Sequence, residues 1–186
     1  MIGTQGPSAN RADRHESTTP RASAPKATMT RRTRGREIAL QVLYQMEQNP
    51  GLSAADRSRF IERRLRNDRR LCEFSEALVA GVKEHQPRID ELISGVAENW
   101  RIDRMAAIDR NILRLGAFEM LHCPDVPRKV AINEALELAK RYSTAQSSRF
   151  VNGILDRLHA AEPAGPDAAP AEILNDTPPV APGEVP

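Results

Sequence analysis

The chain has 186 residues with a small net positive charge, and its ends differ in kind from its middle. Residues 1–30 are rich in Pro, Ser, Thr and Ala, and residues 160–186 are Pro/Ala-rich without Lys or Arg. Neither has the apolar content to build a core, so both are expected to be disordered, leaving about 130 residues, enough to bury roughly two-thirds of their unfolded surface. The net charge is +2 over residues 1–30, +5 over 31–159 and −5 over 160–186. A basic middle favours a polyanionic partner. The acidic tail is either solubilising or a weak competitor for the same surface. Cys72 and Cys123 are the only cysteines and lack metal or paired-thiol spacing, which fits reduced, buried thiols in a cytoplasmic protein. No apolar run approaches the roughly 20 residues that span a bilayer, and the N-terminus lacks the apolar centre of a signal peptide.

The first helix follows the cluster Arg31, Arg32, Arg34 and Arg36, with Ala39, Val42, Leu43 and Met46 on one face and the breakers Asn49, Pro50 and Gly51 at its end. Cations at a helix start oppose the helix dipole, so helix stability does not explain four arginines there. They serve either as a solvated arm or as an arginine-rich arm for RNA phosphates and bases. Ser53 is placed to cap a second, strongly basic helix whose thin apolar stripe is Phe60, Ile61 and Leu65. A third helix carries Leu71, Phe74, Leu78 and Val82 and is expected to end before Pro87. A fourth carries Ile89, Leu92, Ile93, Val96 and Trp100, and Trp100 is expected in the core.

The fifth helix, about Ala106 to His122, has two apolar stripes and should be central, with Asp109, Arg110, Asn111 and Arg114 on its polar side. Pro124 and Pro127 break the chain before a sixth helix bearing Ala131, Ile132, Ala135, Leu136, Leu138, Ala139 and Tyr142. Ser143 and Gln146 have capping-box spacing for a seventh. Its core face is Val151, Ile154, Leu155 and Leu158, with Gly153 expected to admit a neighbouring helix. No alternation persists long enough to suggest a strand. The fold class is therefore all-α, with about seven helices.

Chemistry for an enzyme is missing. The four histidines are scattered, and there is no phosphate-cradling glycine loop, nucleophile elbow or dinucleotide fingerprint. No cofactor or metal is implied. Tyr142 and Phe150 bracket the turn from Ser143 to Arg149, where each either fills the helix junction or presents a face to an unpaired base.

The segments RGREIALQVLYQ, IDRNILRLGAFEML, DVPRKVAINEALELAK and RFVNGILD resemble, in order and spacing, the NusB family of transcription antitermination factors, and the likeness runs from Arg31 to His159. The resemblance implies two packed helical subdomains joined at the fifth helix, and a domain over residues 31–159 between a basic or polar extension and an acidic tail. It also implies a non-enzymatic, cytoplasmic protein that binds single-stranded boxA-type RNA of nascent ribosomal transcripts. The RNA contacts it carries over are Arg31, Arg32, Arg34, Arg36, Lys129, Tyr142, Arg149 and Phe150. Thr33 and Gly35 make this arm less densely basic than in other members, and Gln146 is neutral where some carry an acid.

The resemblance further implies docking of the NusE small-subunit ribosomal protein through Tyr44, Asp109, Arg110 and Arg114, and coupling to an RNA polymerase antitermination complex. Two alternatives accompany it. One is a homodimeric interaction protein that masks its RNA surface, since some members are dimers. The other is the NusB-like module of ribosomal RNA methyltransferases, against which the short stretch after His159 argues. Met29, just before the arm, offers an alternative start to Met1.

Overall fold

The computed structural model describes residues 31–97 and 100–161, so the N-terminal extension and nearly all of the acidic tail lie outside the described residues. Six α-helices follow one another: α1 (Arg31–Gln48), α2 (Ala54–Arg64), α3 (Arg69–Val96), α4 (Ala107–His122), α5 (Arg128–Tyr142) and α6 (Ala145–Ala161). A single 3₁₀ turn, Ile102–Arg104, lies between α3 and α4, and no strand occurs among the described residues.

The expected third and fourth helices are one, because Pro87 sits inside α3. An internal proline costs about 3 kcal/mol or more through its missing donor and its clash one turn back. Val82, Ile89 and Ile93 nevertheless continue one fully buried stripe across it, and burying each stabilises by about 1.5–3 kcal/mol. Pro87 itself is exposed, so water can serve the freed carbonyl. The apolar stripe does not reach Trp100, because α3 ends at Val96. Trp100 is 58% exposed rather than core.

Helices α1, α2 and α3 pack on one another, as do α4, α5 and α6; α4 also packs on α1 and α3, and α6 on α3. One core of buried apolar side chains runs through both groups. Every residue from 111 to 120 is buried, which is why α4 carries two apolar stripes. The same enclosure takes Asn111, Arg114 and Glu119 inside with it. The two cysteines are free and buried, and burial pushes the Cys123 thiol up to about 12.

Close helix approach occurs at glycines other than the expected one. A Cβ on Gly153 would meet nothing within 4 Å, whereas one on Gly81 would lie 2.0 Å from Cζ of Phe118. That ring stacks on His85 and His122, whose own centroids are 3.9 Å apart. The cap of α6 is also one residue later than expected. Thr144 Oγ1 accepts from the Ser147 amide at 3.1 Å, while Ser143 closes α5.

Two outcomes follow from the Gly81 crossing. Gly81→Ala gains about 1 kcal/mol of helix propensity but overpacks the crossing by about 1–3 kcal/mol, so a net loss in urea unfolding is expected, and Phe118→Leu in the same chain should relieve it. His122 is held below its ordinary value by burial and by His85, so the unfolded chain binds that proton more readily. This contribution is complete above about pH 6.5 and is lost as pH falls below it. Unfolding curves at pH 7.5 and 5.5 should show the loss, and His122→Phe should diminish it.

Candidate nucleic-acid interface

The arginine cluster is helical, because α1 begins at Arg31. Helical spacing then separates its members. Arg31 is exposed and pairs with Asp68, the N-cap residue of α3. The Arg32 guanidinium lies 5.6 Å from the centroid of the Phe74 ring. Arg34 bonds Glu37 one turn on at 2.5 Å. Gly35 lets α1 settle on α3, since a Cβ there would fall 2.7 Å from Cδ1 of Phe74. Thr33 donates to Glu134 of α5 at 3.1 Å.

Arg36 departs from the expectation of an RNA contact. It is 3% exposed, donates from Nε to both Glu119 oxygens at 2.9 Å and pairs with Glu134 at 3.6 Å. Burial opposes its charge, but Glu119 outweighs that and raises its pKa. Burial also pushes the Glu119 carboxyl above its ordinary value against the pull of the guanidinium. A buried charge is tolerated only when paired and hydrogen-bonded, and Arg36 meets that condition inside the fold. A shallow groove of about 430 Å³ opens beside it, lined by Arg31, Arg32, Asp125, Pro127 and Val130. Lys129 is exposed on the first turn of α5, which borders the same groove.

The C-terminal end of α5 meets α1 through Tyr142. Its hydroxyl donates to Glu37 and accepts from Gln41 Nε2 at 2.9 Å. Arg141 also reaches Glu37, at 3.5 Å. Burial pushes the Glu37 carboxyl up, yet the bonds from Tyr142 and Arg34 outweigh it and hold the group below its ordinary range. Burial and that same bond raise the phenol of Tyr142. The ring is half-buried, so it both packs and keeps an open edge. Past the turn, Ser147 donates to Asp109 of α4 at 2.9 Å, which ties the start of α6 to α4. Arg149 is exposed, and the half-buried Phe150 ring lies 5.1 Å from that of Trp100. On α2, Arg59 pairs with Asp56 at 2.6 Å, while Arg57 and Arg64 donate to the Leu52 carbonyl and the Gln41 side chain.

The residues expected to meet a protein partner divide. Tyr44 is 39% exposed on a groove of about 550 Å³ shared with Leu40, Gln41, Ala106, Ile108 and Tyr142. Asp109, Arg110 and Arg114 turn inward instead. Arg110 donates to the carbonyls of Ile102 at 2.8 Å and Met105 at 2.9 Å and pairs with Glu47. Arg114 grips both oxygens of Asp90, at 2.7 and 2.8 Å, and reaches Glu47 at 3.2 Å. Asn111 completes the cluster with a 2.8 Å bond to Glu47. Polar residues on an enclosed helix must find partners inside, so Arg110, Asn111 and Arg114 act first on the junction between α1, α3 and α4, and Asp109 on that between α4 and α6. Reading by residue type missed Glu37, Glu47 and Trp100. The i,i+3 step from Arg34 to Glu37 was visible locally, whereas the contact of Glu37 with Tyr142 spans 105 positions.

The NusB family model matches residues 33–160. The chain is 48% identical over 142 residues to the transcription antitermination protein NusB of Myxococcus xanthus, covering 72% of this chain and 97% of that protein. With the same-named protein of Anaeromyxobacter dehalogenans it shares 48% over 135 residues, covering 72% and 94%. Among solved structures, T. maritima NusB matches with a TM-score of 0.63 and 38% identity, over 72% of this chain and 93% of that one. A crystal structure of antitermination factors NusB and NusE in complex with double-stranded RNA matches with a TM-score of 0.64 and 25% identity, over 73% and 100%.

The inward placement of Arg36 has a measurable consequence. Arg36→Ala should cost about 3–5 kcal/mol in urea unfolding, because Glu119 is left buried without its counter-ion. Arg31→Ala, at an exposed pair, should cost about 0–1 kcal/mol. Equal effects would refute the structural assignment of Arg36.

Proposed function

The chain belongs to the NusB family, and from that premise we propose that it binds boxA-type RNA of nascent ribosomal transcripts jointly with a NusE ribosomal protein. As a member of that family it is a non-enzymatic, RNA-binding transcription antitermination factor. The observation that carries the finer reading is the link from Arg34 of α1 through Glu37 to Tyr142 at the end of α5.

Arg31, Arg32, Arg34, Lys129 and Arg149 supply charge for phosphates, while Tyr142 and Phe150 offer edges or faces to unpaired bases. Arg36 is left out of this set and positions α1 instead. The solved NusB, NusE and RNA assembly supports both partners for this chain. NusE docks, in this reading, along the groove at Tyr44, with Asp109, Arg110 and Arg114 shaping that face from beneath. Two weak contacts made together then bind RNA more tightly than either protein alone, and the assembly couples the transcript to RNA polymerase.

The test is a salt-dependent titration of single-stranded boxA-type RNA against the protein and its Arg32→Ala/Arg34→Ala variant. Each lost phosphate contact lowers the slope of log affinity against log salt by about 0.7 for a single strand, so the double variant should bind more weakly with a slope smaller by about 1.4. Its circular dichroism should stay that of a folded helical protein. Unchanged affinity at low salt would remove the arm from the interface. Separately, addition of NusE should tighten binding to boxA-type RNA and leave a scrambled strand of equal length unaffected.

A further inference from the structure

Trp100 is the single tryptophan of the chain and, at 58%, the most exposed large apolar side chain among the described residues. Such a ring gains nothing from the core, yet the backbone around it is well held. Its amide donates to the Ala97 carbonyl at 2.9 Å, and Arg157 of α6 donates to the Val96 carbonyl at 3.1 Å. The ring leans on Phe150, with centroids 5.1 Å apart and planes at 51°. A tilted pair of this kind leaves the outer face of the indole open. Its sequence neighbour Arg101 is exposed and chelates Asp103 through bonds of 3.1 and 2.8 Å. Arg149, next to Phe150, is exposed, as are Arg104 and Arg157.

We propose that Trp100, backed by Phe150, is a stacking platform for an unpaired RNA base, carrying the RNA track past the α5–α6 turn and onto the α3–α4 connection. This deepens the RNA-binding reading above and rests on it. The charge in this region favours a nucleic acid over an apolar protein surface: Arg101 follows the indole in sequence, Arg149 precedes its ring partner Phe150, and Arg157 bonds the nearby Val96 carbonyl, all three exposed. Flat rings flanked by cations are what single-stranded RNA requires, with stacking for bases and charge for phosphates. Phe150 is half-buried, so the exposed indole supplies the larger accessible area. Continuity matters as well. Tyr142, Arg149, Phe150 and Trp100 follow one another from the end of α5 through the start of α6 to the neighbouring connection.

The experiment uses the full chain and an end-labelled single-stranded boxA-type RNA, read in one titration by anisotropy of the label and by intrinsic emission. Position 100 is the only source of tryptophan emission. Saturable quenching with the same midpoint as the anisotropy is expected. Trp100→Ala should weaken binding by about 5- to 150-fold, the range of one lost base stack. Trp100→Phe should restore most of the affinity, and circular dichroism should show both variants folded. The same sequence as a duplex should leave the emission unchanged, since paired bases are not free to stack. RNA that binds by anisotropy without quenching, with Trp100→Ala at full affinity, would overturn this inference and leave the RNA reading standing. Equal quenching by the duplex would overturn it in favour of mere phosphate proximity, and quenching by NusE alone would assign the indole to a protein contact. No anisotropy change with any RNA would overturn both readings.

Discussion

The buried pair of Arg36 and Glu119 sets the rotation of α1 about its own axis, and the distribution of charge over the surface follows from it. A buried ion pair is a poor source of net stability but a good determinant of register. At 100° per residue, fixing Arg36 inward places Arg32 about 40° from it and Arg34 about 160° away, with Arg31 near the outer side. Arg32 accordingly shares the Phe74 ring with Arg36, at 5.6 and 5.5 Å. Arg34 is turned toward Glu37 and the α5–α6 turn. At the other end of α1, Glu47 gathers Arg110, Asn111 and Arg114. The two anchors on α1 are 11 positions apart, roughly 16 Å along the helix, so α1 is held against α4 both in rotation and along its length.

This anchoring changes what kind of surface α1 would offer to RNA in the proposed complex. A disordered arginine arm would lose conformational entropy on every binding event, whereas cations on a helix tied to a core are already ordered, and that saving is how preorganisation raises affinity. Tyr142 is positioned by the same logic. Its hydroxyl is committed to Glu37 and Gln41, so the ring orientation is set within the fold itself. The carboxylate at the centre of that network stays ionised because its hydrogen bonds outweigh its burial.

Most of the fold was legible because it depends on periodicity. The core faces of α5 and α6 are where spacing puts them, and Ser53 caps α2 as its type and place suggest. What was not legible depends on three-dimensional enclosure. A proline reads as a boundary, yet the packing of Val82, Ile89 and Ile93 carries α3 through Pro87. Trp100 continues a helical stripe on paper, but the helix stops at Val96 and the indole turns outward. Polar types on α4 read as surface, and an all-round buried helix takes them inside. Of the candidate site, the family resemblance supplied the residues, while only the structure distinguishes Arg36, which holds the scaffold, from its more accessible neighbours. Gly153 was singled out by its place on an apolar face. The glycines under real steric demand, Gly35 and Gly81, face rings from another helix, which no local pattern reveals.

Asp109 faces inward and yet is placed to bear on the proposed recognition. Its carboxylate accepts from Ser147 at 2.9 Å, and its other oxygen, Oδ1, is buried without a hydrogen bond among the described residues. Ser147 is also the residue whose amide Thr144 caps, so one side chain joins the N-terminal turn of α4 to that of α6. Arg149 and Phe150 follow within that same stretch of α6. In the proposed assembly, a partner that shifted the start of α4 would act on the α5–α6 turn through this contact, and an RNA that ordered the turn would act back on α4 to the same free-energy extent. On that reading the hydrogen bond would carry cooperation between RNA and protein partner without either ligand having to touch Asp109.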